Sequence, residues 1–157
     1  MRTFSLLILF AALIRAATIE ANADRLYADE KTGRTVLEGS VKIIRGADVL
    51  RGDRVTVLFT PDREVSRFES KGSSSFSVTI ENGAQYTGEA DEIVYVPAEG
   101  VYTLKGRASV EDPINKRKII GEQIAFNEIT RIARVSGKES SPVRLIFTIK
   151  DRNETKP

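Results

Sequence analysis

The groups best able to do acid–base chemistry in this chain recur in step with one another. Asp53, Glu89, Asp91 and Glu122 each follow a glycine within a few residues and open an alternating run. Two carboxylates at a set separation are the machinery of glycoside hydrolysis. A carboxylate repeated in unit after unit is better suited to a structural task, such as accepting hydrogen bonds from backbone N–H groups where the chain bends. The sequence has no Cys, no His and no Trp. That removes disulfides, the usual zinc sites, thiol catalysis and the Ser–His triad. Only carboxylates, Lys, Tyr, Ser and Thr remain, and they form no catalytic constellation. The expectation is a protein that is not an enzyme and has neither cofactor nor metal. The basic run Lys116-Arg117-Lys118 beside Asp112-Pro113, and the trio Arg131, Arg134 and Arg144, have two readings: contacts to phosphates or anionic sugars, or a solvated turn and surface ion pairs.

The first residues are of a different kind. Arg2 is followed by an apolar run from Phe4 to Ile14 and then by Arg15-Ala16-Ala17. This pattern predicts a secretory signal peptide over residues 1–17, the run being short for a membrane span of about 20 residues. Ala21-Asn22-Ala23 also fits a cleavage site, but cutting there would remove a first strand at Thr18 to Ala21. An uncleaved short anchor is the alternative. Without residues 1–17, Lys+Arg falls from 24 to 22 against 22 Asp+Glu. The exported chain is near neutral, so nucleic-acid binding loses the basic footprint it requires.

Beyond the leader, apolar residues alternate with period two, which places each set on one face of a strand. The sets are Val41 with Ile43; Val55, Val57 and Phe59; Phe76, Val78 and Ile80; Ile93 with Tyr95; Tyr102 with Leu104; Ala108 with Val110; Ile124 with Phe126; and Val143, Leu145, Phe147 and Ile149. Polar residues fill the opposite positions, as in antiparallel strands with one dry face and one wet face. Thr32-Gly33, Arg45-Gly46, Pro61-Asp62, Asn82-Gly83, Glu99-Gly100 and Asp112-Pro113 suit tight turns, Asn82-Gly83 best matching a type I′ hairpin. Strands of about five to eight residues are expected, in a sandwich, barrel or β-solenoid. The residues after 150 are polar and end in Pro157, which predicts a frayed tail over 151–157.

A repeat runs through these strands. One element is glycine, an acid and an alternating run: Gly52-Asp53-Arg54-Val55, Gly88-Glu89-Ala90-Asp91-Glu92-Ile93 and Gly121-Glu122-Gln123-Ile124, with Asn22-Ala23-Asp24-Arg25-Leu26 as a first copy lacking the glycine. The other is an apolar residue shortly before Gly39, Gly72, Gly106 and Gly137, glycines 33, 34 and 31 residues apart. Four units of about 33 residues would stack to share one apolar interior. The seven glycines mark strand bends at the corners, or else ordinary turns.

The segments Ile19-Glu20-Ala21, Leu37-Glu38-Gly39-Ser40-Val41-Lys42-Ile43 and Gly52-Asp53-Arg54-Val55 resemble the OstA-like family. Tyr86-Thr87-Gly88-Glu89-Ala90, Tyr102-Thr103-Leu104-Lys105-Gly106 and Ile120-Gly121-Glu122-Gln123-Ile124 match its recurring unit. The resemblance covers nearly all of the chain after the leader. It implies an all-β fold, an open twisted β-jellyroll of stacked antiparallel strands over residues 18–150. It also implies a periplasmic protein that binds lipopolysaccharide by its acyl chains and carries it between inner and outer membrane. The implied partners are an inner-membrane-anchored transport protein at the N-terminal edge (Thr18 to Ala21), an outer-membrane assembly protein at the C-terminal edge (Val143 to Ile149), and further copies joined head to tail. On this resemblance the lipid-facing set is Ile19, Leu37, Val41, Ile43, Val55, Val57, Phe76, Val78, Ile93, Tyr95, Tyr102, Leu104, Ile124, Phe126 and Leu145. A packed core is the alternative for each of them. A membrane-anchored relative of the same fold, and a β-repeat adaptor that binds only protein, are the rival functions.

Overall fold

The computed structural model describes residues 18–80 and 83–150; the signal-peptide, tail and Asn82 expectations lie outside them. Among the described residues, ten strands form one antiparallel sheet: β1 (Ile19–Asn22), β2 (Arg25–Asp29), β3 (Arg34–Arg45), β4 (Asp48–Phe59), β5 (Val65–Thr79), β6 (Gln85–Val96), β7 (Val101–Asp112), β8 (Arg117–Asn127), β9 (Ala133–Ser136) and β10 (Arg144–Phe147). The order is β1-β3-β4-β5-β6-β7-β8-β10, with β2 also on β3 and β9 also on β8. At each end, therefore, two short strands share one long neighbour. The six long strands run 11 to 15 residues, not five to eight. The reason is that the corner glycines bend a strand without ending its pairing.

Every pair of long neighbours shows a register shift in mid-strand, for example between Glu38 and Val41 on β3 and between Lys105 and Ala108 on β7. There Gly39, Gly72 and Gly106 have φ of 86°, 81° and 80°, and the residues after them, Ser40, Ser73 and Arg107, are also left-handed at 46°, 43° and 48°. Two consecutive left-handed residues insert an extra residue and turn the strand sharply. Repeated on alternate strands, the bulge creases the whole sheet, so its two halves fold toward each other as two arms. Phe76, past the crease on β5, lies 4.3 Å by ring centroid from Tyr102, before the crease on β7. Since β5 and β7 are not paired, this contact is face to face between the arms.

The recurring acids sit on the crease. A Cβ on Gly39, Gly72 or Gly106 would collide with Asp24, Asp53 or Asp91, respectively. Asp24, Asp53 and Asp91 thus pack over these glycines, and in the later units acids pair with basic side chains. Asp91 accepts from Arg107 at 2.6 Å, and Glu122 pairs with Lys138 at 3.4 Å. The register also corrects the repeat. Gly52, Ala90 and Gly121 hold equivalent places opposite Val41, Ser74 and Ala108. Gly88 is two residues out of step, and leaves room for the Phe76 ring, which a Cβ there would strike. Beside the β5–β6 connection, the Ile80 N–H donates to the Ala84 carbonyl at 2.9 Å and Gly83 is left-handed at φ 74°.

Candidate functional site

The inner faces of the two arms meet in a single apolar cluster. Thirteen of the fifteen residues proposed to face lipid belong to it; Val55, Ile93, Leu104 and Ile124 are 0% exposed. Leu50, Phe68, Ala90, Ala108 and Val110 complete it. Rings from both arms run through its middle: Phe68 on Tyr95, Tyr95 on Tyr102, Tyr102 on Phe76, and Phe126 between Phe76 and Tyr86. At the crease the filling is small and polar, with Ser70 and Ser74 bonded to each other at 2.7 Å. Within this cluster a slot of about 30 Å³ is lined by Ile19, Ile43, Leu50, Phe68, Tyr95 and Tyr102. That volume holds about one water, so hydrocarbon enters this interior only if the arms move apart.

The two remaining members of the set lie at the ends of the sheet. Ile19 on β1 is 41% exposed and Leu145 on β10 is 60% exposed. The alternating run Val143, Leu145, Phe147 and Ile149 is exposed throughout, as are Leu26 and Tyr27 on β2. Among the described residues, β10 pairs with the Arg117–Ile120 half of β8 and no strand lies beyond it. Phe59 is also partly exposed, beyond a register shift at the end of β4. Of the basic candidates, Lys116 is a left-handed turn residue and Arg117 is fastened to Asp112 at 3.0 Å. Asp112 also accepts from the Asn115 backbone and side chain. Burial would raise its carboxyl, but the bonds from Asn115 and Arg117 hold it below the usual carboxylate value. Arg134 and Arg144 are exposed on the terminal strands, and Arg131 lies in the turn after β8.

Sequence reasoning missed the polar group on the open side of the crease. Arg45, at the end of β3, donates to the Tyr95 hydroxyl at 2.9 Å, to Asp48 at 3.1 Å and to Glu128 at 3.4 Å. Tyr95 in turn donates to Glu128 at 2.8 Å. The guanidinium lies over the Tyr95 ring, 5.4 Å from its centroid. Burial works against the charge on Arg45, yet Tyr95, Asp48 and Glu128 outweigh it and raise its pKa. Burial, then the bond to Glu128, pushes the Tyr95 phenol up to about 12. Arg45 and Asp48 flank the two-residue β3–β4 turn, which is legible; their partners on β6 and after β8 are brought to them only by the folding of the sheet.

The described residues form a single creased antiparallel sheet with an apolar interior and exposed apolar side chains on the short strands at its ends, an open β-jellyroll. The chain matches the family described as LptA/(LptD N-terminal domain) LPS transport protein over residues 20–131, and it belongs to that family. Its fold is that of LptH from Pseudomonas aeruginosa, a crystal structure described as the LptA homologous periplasmic component of the conserved lipopolysaccharide transport device. The two superpose with a TM-score of 0.75 at 19% identity, covering 84% of this chain and 96% of that one. No curated protein sequence matches the chain. Membership of a lipopolysaccharide-transport family gives the protein a non-enzymatic, lipid-transport role.

Proposed function

We propose that this protein works in the periplasm, takes lipopolysaccharide acyl chains between its two arms, and passes the lipid along a bridge between the inner and outer membranes. The observation that carries this reading is the interface between the arms. It is made of apolar side chains from both halves of one sheet, and no strand pairing across it has to be broken for it to open. Burying hydrocarbon is favourable by roughly 0.8 kcal/mol per methylene. Several acyl chains could therefore replace the arm-to-arm contacts they displace. The sugar and phosphate head group would stay in water at the open side.

The ends of the sheet support the bridge. Among the described residues, the outer sides of β1–β2 and of β9–β10 are unpaired strand edges with exposed apolar side chains, a template for strand addition by another chain. In this reading the N-terminal edge receives an inner-membrane-anchored transport protein. The C-terminal edge receives an outer-membrane assembly protein, and copies of this chain join head to tail between them. Residues 1–17 serve as the export signal.

A photo-reactive residue in place of Phe126, in the middle of the aromatic run, tests the proposal in cells. Adducts with lipopolysaccharide are expected. Adducts only with protein, or none, would overturn the carrier reading in favour of an adaptor. An intact Met1–Ala17 recovered in the membrane fraction would identify an anchored member of the bridge instead of the exported one.

A further inference from the structure

The polar group at the open side stands between two spaces. In front of it is a cleft of about 240 Å³ bounded by Arg45, Asp48, Thr79, Ile80, Glu128 and Ile129, with Arg131 at its rim. Behind it is the apolar slot of about 30 Å³ at Leu50, Phe68 and Tyr102. Arg45 and Asp48 line both. They come from the tip of one arm, where β3 turns into β4. Tyr95 and Glu128 come from the tip of the other, at the ends of β6 and β8. A second bond fixes Asp48 on its own arm, where its other carboxylate oxygen accepts from the Thr79 backbone N–H at 3.0 Å. The pairs of Glu38 with Arg25 and Arg54, and of Arg67 with Glu69, lie on the sheet's outer face instead.

We propose that Arg45, Tyr95 and Glu128 form a latch that holds the two arms shut across the mouth, and that its opening joins the outer cleft to the apolar interior and sets the rate at which lipid tails enter. The placement suits a gate better than a mere brace. Charge-assisted bonds give a closed state with defined geometry, yet Arg45, Asp48 and Glu128 line the outer cleft, with the Arg45 side chain 30% and the Glu128 side chain 16% exposed. Water can therefore replace them as they break, unlike a buried pair, whose rupture would strand a charge. Tyr95 links the latch to the interior, because its ring stacks on Tyr102, 4.2 Å away by centroid. Releasing the phenol frees this ring of the aromatic run to move with the arm that carries it.

The role as entry gate rests on the carrier reading; the latch itself does not, and two measurements keep them apart. The sequence has no cysteine, so Ala47→Cys and Ala98→Cys, in exposed turns at the two tips, accept spin labels cleanly. Without lipid, Tyr95→Phe and Glu128→Gln, both near-isosteric, are expected to shift the label distance distribution toward longer separations. An unchanged distribution would overturn the latch. In stopped-flow mixing with fluorescently labelled lipopolysaccharide, the same variants are expected to associate about tenfold faster than the parent. Arg67→Met, which breaks the outer-face pair with Glu69, is expected to leave the rate unchanged. Open arms with unchanged association would remove the gate while keeping the latch. No association by parent or variants would remove the carrier reading alone.

Discussion

The middle of the sheet and its two ends are built from the same residue types and meet opposite fates. Leu104 and Ile124 on the central strands are sealed between the arms, whereas Leu26, Leu145 and Phe147 on the terminal strands are 64%, 60% and 57% exposed. Alternation makes an apolar face in both places. Only in the middle does the opposite arm cover it; at the ends both the face and one row of backbone hydrogen-bonding groups are left over. The same chemistry thus stabilises the fold in one region and leaves adhesive surface in the other.

Substitutions in the two regions should separate cleanly. Ile124→Ala empties a fully buried site and is expected to cost about 3 kcal/mol in urea unfolding. A loss below 1 kcal/mol would mean that the arms re-pack freely, and would weaken the contrast. At the crease, Gly106→Ala places a Cβ against Asp91 at φ 80°. A cost of about 1–3 kcal/mol is expected from strain of that kind, read as a lower melting temperature. At the C-terminal edge, Leu145→Asp should leave thermal stability within about 0.5 kcal/mol of the parent. Its effect should appear instead in sedimentation, as loss of concentration-dependent chain formation; an unaltered distribution of oligomers would remove β10 from the proposed junction.

The smallest effect concerns pH. Asp91 is held below the usual carboxylate range by its bonds from Arg107. Asp112 is held there too, against its burial, by Asn115 and Arg117. A carboxyl whose folded pKa lies below its unfolded value adds stability at pH above the unfolded value, and that stability is lost as pH falls through the folded one. Acid unfolding below about pH 4 should therefore weaken in Asp112→Asn, while the profile from pH 6 to 8 stays flat. A pH-dependent midpoint within that neutral window would point to a group not accounted for here.

Much of this architecture was legible in the residues. The antiparallel β class and the inward sets on β3 to β8 follow from period-two alternation, and the crease glycines from their spacing. The repeat glycine Gly88 misled because spacing alone cannot distinguish a glycine that bends the chain from one that makes room for the Phe76 ring. Strand length misled because a bulge looks like a turn in sequence yet keeps the ladder paired. On β4 the inward positions slip from Leu50 and Gly52 to Val55 and Val57, so one long strand reads as two short ones. The exposure of the Val143–Ile149 run and the meeting of Arg45 with Glu128 are set by which strands find partners and by the folding of one arm on the other. Neither leaves a local pattern.

The claim on which the carrier account depends is that the arms part to accept hydrocarbon. Spin labels at Ala47→Cys and Ala98→Cys in the otherwise unaltered chain measure this directly by pulsed dipolar spectroscopy before and after loading with purified lipopolysaccharide. A longer tip-to-tip distance in the loaded protein is the expected result. Stoichiometric lipid binding with the distance unchanged would contradict it, placing the lipid somewhere other than between the arms.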